Sequence, residues 1–273
     1  MASATHLLID ADIYLYQVAS VTEQVIDWGD EIVTAHCNMT DATTTFDSII
    51  NGLVDNWPTQ VAGVTLAASS TTNFRKDLWP EYKGHRSSRK PVGYAGLKGW
   101  VQKKYGLTVV PSLEADDVLG IIATSGQHEH TTIVSTDKDF RQIPGDFYDV
   151  NKDAVFTITP EAADRYHMFQ TLTGDTADGY KGCPGVGPKR ADSLLDCPVS
   201  EWWDRIVAAY EHAGLDAEEA LLNARLARIL RATDWDPKTK EVKLWVPPAN
   251  TSASSAEDPD ANRVVPIRKA KTA

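Results

Sequence analysis

The chain has 273 residues, 42% of them hydrophobic, which suits one large domain or two modest ones and excludes a wholly disordered protein. Its net charge of −11 excludes a uniformly basic nucleic-acid coat, and its three cysteines, Cys37, Cys183 and Cys197, lack Cys-x-x-Cys spacing, which argues against a disulfide framework or structural zinc. The start MASATHLLIDAD has no basic region before a long apolar core, and no segment reaches the roughly 18 apolar residues of a membrane span. The expectation is a soluble, unsecreted protein of a reducing cytoplasm, away from membranes.

In chain order, the first half alternates short apolar runs with helical patterns, which predicts an α/β fold with a mostly parallel central sheet flanked by helices. Strands are expected over residues 6–9, 61–67, 107–110 and 131–135. Helices are expected over 44–56, where Phe46, Ile49, Ile50, Leu53 and Val54 keep helical spacing, and over 115–124, where Val118, Ile121 and Ile122 do. Crossovers between parallel strands bring their carboxyl ends to one edge, where open α/β sheets build their sites. After about residue 159 the pattern turns helical, over 160–169, 202–212 and 217–231, with one later strand at 242–245. The expected organisation is an α/β domain over 1–159, a helical C-terminal subdomain over 160–246, and a flexible, apolar-poor tail over 247–273.

Acidic residues recur in clusters near the expected strand ends and helix starts: Asp10 with Asp12, Glu114 with Asp116 and Asp117, Asp137 with Asp139, and Asp175 with Asp178. Each has an ordinary reading. Asp10 could cap a helix, Glu114 and Asp117 could favour a helix dipole, and Asp137 and Asp139 could be turn residues. Gathered in one place, however, they would repel one another unless a cation neutralised them. Mg²⁺ suits such a site because it takes hard oxygen ligands and shares them with water and substrate phosphate. Two such ions about 4 Å apart serve phosphodiester hydrolysis without a protein nucleophile.

Charge distribution modifies the meaning of the total. Residues 75–104 hold nine lysines and arginines against Asp77 and Glu81 only, interleaved with Trp79, Tyr82, Tyr94 and Trp100 and preceded by Phe74. A charge run is often a solvated loop, but aromatic faces among basic side chains can also stack unpaired bases. Further on, GDTADGYKGCPGVGPKRA couples Asp175 and Asp178 to a glycine-shaped turn, with Pro188 at a helix start and Lys189 and Arg190 beside it. That element resembles the helix-hairpin-helix by which DNA enzymes grip a duplex backbone.

Taken together and in order, LIDAD, NFRKDLWPEYKGHR, EADD, STDKDF and GDTADGYKGCPGVGPKRA resemble the 5′→3′ exonuclease and flap endonuclease superfamily, with its PIN-like fold. IDWGD at 26–30 and ARLARIL with EVKLW toward residue 245 resemble in particular the 5′→3′ exonucleases of short-tailed bacteriophages. The similarity spans about residues 5–246. It implies that Asp10, Asp12, Glu114, Asp116, Asp117, Asp137, Asp139, Asp175 and Asp178 form the metal set, which holds two Mg²⁺ ions, with Mn²⁺ as a substitute. It implies that Lys83 and Arg86 act with Asp10 and Asp137 in catalysis. It further implies that Arg75, Lys76, Tyr82, Lys83, Arg86, Arg89 and Lys90 form a helical gateway for a single-stranded 5′ end, and that Gly185, Gly187, Lys189 and Arg190 grip the duplex.

The implied activity is metal-dependent hydrolysis from DNA 5′ ends, on duplexes or flaps and extending to RNA–DNA hybrids, by a monomer working in the host cytoplasm during phage DNA replication, recombination or host DNA degradation. One departure stands out. Many members carry an aspartate shortly before the FR of the gateway motif, where this chain has Ala68, Ser69, Ser70 and Thr71. Either Asp12 compensates or metal occupancy is weaker. A DNA-binding protein of weakened catalysis and a PIN-type ribonuclease stay open as alternatives.

Overall fold

The computed structural model describes residues 4–85 and 89–248 and the backbone of 264–266. Strand β1 (Thr5–Asp10) leads into helix α1 (Ala11–Val21), a hairpin of β2 (Glu23–Asp27) and β3 (Val33–Cys37), then α2 (Met39–Asp55) and β4 (Val61–Ala67). Short α3 (Arg75–Leu78), α4 (Tyr94–Tyr105) and α5 (Ala115–Thr124) follow, before β5 (Thr131–Ser135), β6 (Gly145–Asp149) and β7 (Ala154–Ile158). The remainder is α6 (Pro160–Thr173), α7 (Pro188–Leu194), α8 (Trp202–His212), α9 (Ala217–Ala227), a small ribbon of β8 (Trp235–Asp236) and β9 (Glu241–Val242), and β10 (Val264–Pro266).

The main sheet has the order β10-β7-β6-β5-β1-β4. Strands β4, β1, β5 and β6 run parallel, while β7 and β10 return antiparallel at one side. Central β1 is covered on both faces, so Leu7, Leu8 and Ile9 form a continuous apolar run instead of alternating. One face packs on α1, α2 and α4 through Tyr14, Phe46 and Leu97; the other packs on α5 through Val118 and Leu119 and on the 3-10 turn Lys138–Gln142 through Phe140. A third core, built from Leu172, Trp202, Ile206 and Tyr210, joins α6 to the helices after it. No helix among the described residues is long and apolar enough to cross a membrane.

Several expected elements differ from those observed. Residues 107–110 form no strand; Thr108 alone makes a parallel bridge to Ala67, because the segment leaves the sheet edge at once to reach α5. Helix α9 ends at Ala227, four residues early, since Arg228 turns to extended backbone. The amides of Ile229 and Leu230 then bond the side chains of Gln142 and Asp117. Gly120 in α5 permits this approach: a Cβ there would lie 2.4 Å from the Leu230 carbonyl. Helix α6 continues to Thr173, and of the later strand only Glu241–Val242 pairs. The expected tail falls mostly outside the described residues, with 264–266 seen only as backbone beside β7.

Candidate active site

The carboxyl ends of β1 and β5, the start of α5 and the loop after α6 open onto one cavity of about 440 Å³. Asp10, Asp12, Glu114, Asp116, Asp137, Asp139, Asp175 and Asp178 all line it, with Lys83 among them. The ordinary and functional readings of these acids are both realised. Asp10 caps α1 by accepting from the Asp12 amide at 3.2 Å, and Asp137 accepts from the Asp139 amide at 2.9 Å. Capping leaves carboxylate lone pairs facing the cavity.

Two serines, unmarked in the sequence, tie the segments together. Ser135 Oγ donates to Asp10 at 3.2 Å and accepts from the Asp137 amide at 3.0 Å. The Ser69 amide donates to Asp12 Oδ2 at 2.8 Å, while the Tyr94 hydroxyl donates to Asp12 Oδ1 at 3.1 Å. The segment that lacks the family aspartate is therefore the one that holds Asp12 in the cavity. The contacts of Ser69, Ser135 and Tyr94 carry no local sequence signal, because their partners lie 57, 125 and 82 residues away.

Lys83 adopts a left-handed backbone, φ 54°, with its amide donating to the Asp178 carbonyl at 2.8 Å. Its ammonium lies 2.5 Å from Glu114 and 3.4 Å from Asp178. Burial disfavours that charge, but Glu114 and Asp178 outweigh it and raise the lysine pKa. Burial likewise opposes ionisation of Glu114, yet Lys83 and Arg75 bring its pKa down to about 2. The opposite holds across the cavity. Burial, with Asp12 and Asp137 nearby, pushes Asp10 up to about 7, and burial with Asp137 does the same to Asp139. Burial also raises Asp116, with Asp117 and Glu114 adding to it.

Three expected assignments change. Arg75 was expected to meet DNA but is only 2% exposed. Its five N–H donors go to Asp117 twice, at 2.8 Å each, to Glu114 at 3.2 Å, and to the carbonyls of Leu226 and Arg228. Asp117 was expected among the metal ligands. Its side-chain oxygens come within 4.8 Å of those of Glu114 and Asp116, a grouping able to hold an ion. But Asp117 is fully buried and accepts from Arg75 twice and from the amides of Glu114 and Leu230, which leaves Glu114 and Asp116 as the available pair. Tyr82 was expected as a base-stacking surface, but its ring is buried and its hydroxyl bonds Glu114 at 3.0 Å and Asp178 at 2.7 Å.

Other expected residues lie away from the cavity. Arg89 pairs with Glu23 of the β2–β3 hairpin at 2.6 Å, and Lys90 sits over the Tyr94 ring. Lys76, Gly185, Gly187, Lys189 and Arg190 are exposed. Arg86 lies outside the described residues.

The raised acids give a pH dependence with a definite sign. The folded state holds protons on Asp10 and Asp139 that the unfolded chain releases near 3.8. Their contribution to stability is thus full below that value and lost as pH rises to about 7. Glu114 works in the other direction, but its window lies between 4.5 and about 2. Thermal unfolding in a chelator should therefore show a falling midpoint from pH 5 toward about 7, and added Mg²⁺ should restore it most at the upper end. A midpoint that is flat in pH and insensitive to Mg²⁺ would contradict this electrostatic picture.

The donor set, all carboxylate oxygens with an ammonium beside them, fits hard divalent cations. Comparison with known proteins agrees with this chemistry. Residues 5–167 match the model of the 5′-3′ exonuclease N-terminal resolvase-like domain. The chain is 31% identical to an exodeoxyribonuclease of Enterobacteria phage T3, across 88% of this chain and 92% of that one. It is 30% identical to an exonuclease of Escherichia phage T7, across 88% and 93%. A similar fold occurs in the bacteriophage T5 flap endonuclease solved with DNA and metal ions, with a TM-score of 0.59 at 14% identity, covering 84% of this chain and 90% of that one. On the family model and the two phage relatives, the chain belongs to the 5′→3′ exonuclease family.

Proposed function

We propose that the chain is a Mg²⁺-dependent 5′→3′ exodeoxyribonuclease, with Mn²⁺ as a substitute ion and two ions held by the acid cavity. The observation that carries this reading is the convergence of eight carboxylates from four separate segments on one cavity, next to Lys83. Asp10, Asp12, Glu114, Asp116, Asp137, Asp139, Asp175 and Asp178 are the proposed ligands, with Asp12 filling the role of the aspartate missing before Phe74. When bound, such ions supply Lewis-acid stabilisation of phosphate oxygens and make a water nucleophilic near neutral pH.

The protein's own groups have complementary tasks. Lys83 stays charged because of its acidic neighbours, and would stabilise negative charge developing on the scissile phosphate. Tyr82 and Arg75 act as positioning residues, the first bridging Glu114 to Asp178 and the second fixing Glu114 against Asp117. Lys76 and Lys90 of the gateway stretch would meet the DNA backbone outside the cavity, while Lys189 and Arg190, with the turn of Gly185 and Gly187, would grip the duplex as a helix-hairpin-helix. Flaps and RNA–DNA hybrids belong to the same proposed substrate range.

The test is a duplex labelled separately at each 5′ and 3′ end, incubated with Mg²⁺ or with EDTA. Mg²⁺-dependent release beginning at the 5′ label is the expected result. Tight binding without cleavage in either Mg²⁺ or Mn²⁺ would overturn the reading in favour of a binding protein.

A further inference from the structure

A second cavity, of about 400 Å³, lies between β7, α6 and α7, lined by Arg141, Phe156, Arg165, Tyr166, Phe169 and Asp192 among others. Its volume is within the roughly 300–1,000 Å³ usual for small-ligand sites. We propose that it is a nucleotide subsite, which receives one unstacked base of the bound strand on its aromatic wall and a phosphate on its guanidinium groups. The inference rests on the reading of the first cavity as a DNA nuclease site.

The chemistry of the lining selects the ligand. Tyr166 and Phe169, one turn apart on α6, lie nearly parallel, with ring centroids 6.0 Å apart and planes 16° from one another. Both are half-buried, so each keeps some face open. Arg141 lies over the Phe156 ring, its Cζ 5.4 Å from the centroid. Arg165 reaches Asp192 at 3.0 Å, and both partners of that pair remain substantially exposed. Two guanidiniums against one carboxylate favour an anion, and flat aromatic surfaces beside them favour a π system. A nucleotide combines both in one unit.

Position adds a second, independent reason. The Tyr166 hydroxyl reaches Asp139 of the acid cavity at 3.5 Å, so the two cavities share a wall. Asp192 lies on α7, the helix that also carries Lys189 and Arg190. A strand passing from the acid cavity toward that helix would cross the second cavity on the way.

The test is photo-crosslinking of the full chain to duplexes with a 5′ overhang that carry 5-iododeoxyuridine at single positions, with Ca²⁺ in place of Mg²⁺ to hold substrate uncleaved. Crosslinks at Tyr166 or Phe169 from one or two adjacent positions are expected. Crosslinks that never fall on these residues, at any position, would overturn the subsite. As a second measure, Phe169→Ala and Arg141→Ala should each weaken DNA binding by roughly tenfold, the scale of one stacked base; unchanged affinity in both would also overturn it. Failure of the nuclease reading is separately visible, because end-labelled DNA would then stay intact in Mg²⁺ whatever the crosslinks report.

Discussion

Asp137→Ala is expected to abolish cleavage while leaving DNA affinity close to that of the parent. Asp137 follows the buried end of β5, is fixed by Ser135, and faces Asp10 across the cavity. Removing one proposed ligand forfeits several kcal/mol of transition-state stabilisation, and at about 1.4 kcal/mol per decade this lowers the rate by on the order of a thousandfold or more. Binding should hold because the lost charge repels phosphate and does not attract it. Single-turnover cleavage in Mg²⁺, beside a binding isotherm in Ca²⁺, separates the two effects. Full activity would take Asp137 out of the site, whereas equal losses in rate and affinity would make it a DNA contact.

Arg75→Ala should produce the largest loss of stability of any single substitution in the gateway stretch. It strands Asp117, a fully buried carboxylate, with two of its four donors gone. Breaking one side of a buried ion pair costs about 3–5 kcal/mol. Two carbonyls, of Leu226 and Arg228, lose donors as well. Arg75→Lys should recover little, since an ammonium cannot reproduce a five-donor planar fork. Denaturant unfolding of both variants is the measurement. A loss below about 1 kcal/mol for the alanine variant, the level of an exposed pair, would return Arg75 to the surface role its sequence context suggested.

The contrast between these two residues explains what the sequence made legible. Parallel strands 61–67 and 131–135 and helix 115–124 were found with their bounds intact, because a run buried on both faces or a 3.6-residue period is a local signal. The acid clusters were found because carboxylates are rare enough at strand ends to stand out in groups. Arg75 and Tyr82, by contrast, are chemically typical of a DNA clamp, and only the fold reveals that their polar atoms point inward. The β2–β3 hairpin was missed because Val25, Trp28, Ile32 and Val33 are exposed on it, so its apolar pattern matches no buried face. Strand β6 was missed for a related reason: Gly145, Asp146 and Asp149 interrupt the apolar run that would mark a strand.

The Arg75–Asp117 pair also bears on the order in which the chain can fold. Arg75 bonds carbonyls 151 and 153 residues downstream, and Asp117 bonds an amide 113 residues downstream. The acid residues of the first half are all made before Leu230 exists, yet the backbone that fixes their floor arrives only with it. Such distant contacts carry a large loop-closure entropy and form late. A nascent chain stopped near residue 167, where the matched family region ends, holds most of the proposed ligands but none of the segment that locks them. During synthesis, then, the cavity remains unfinished until Leu230, just past the end of α9, has left the ribosome.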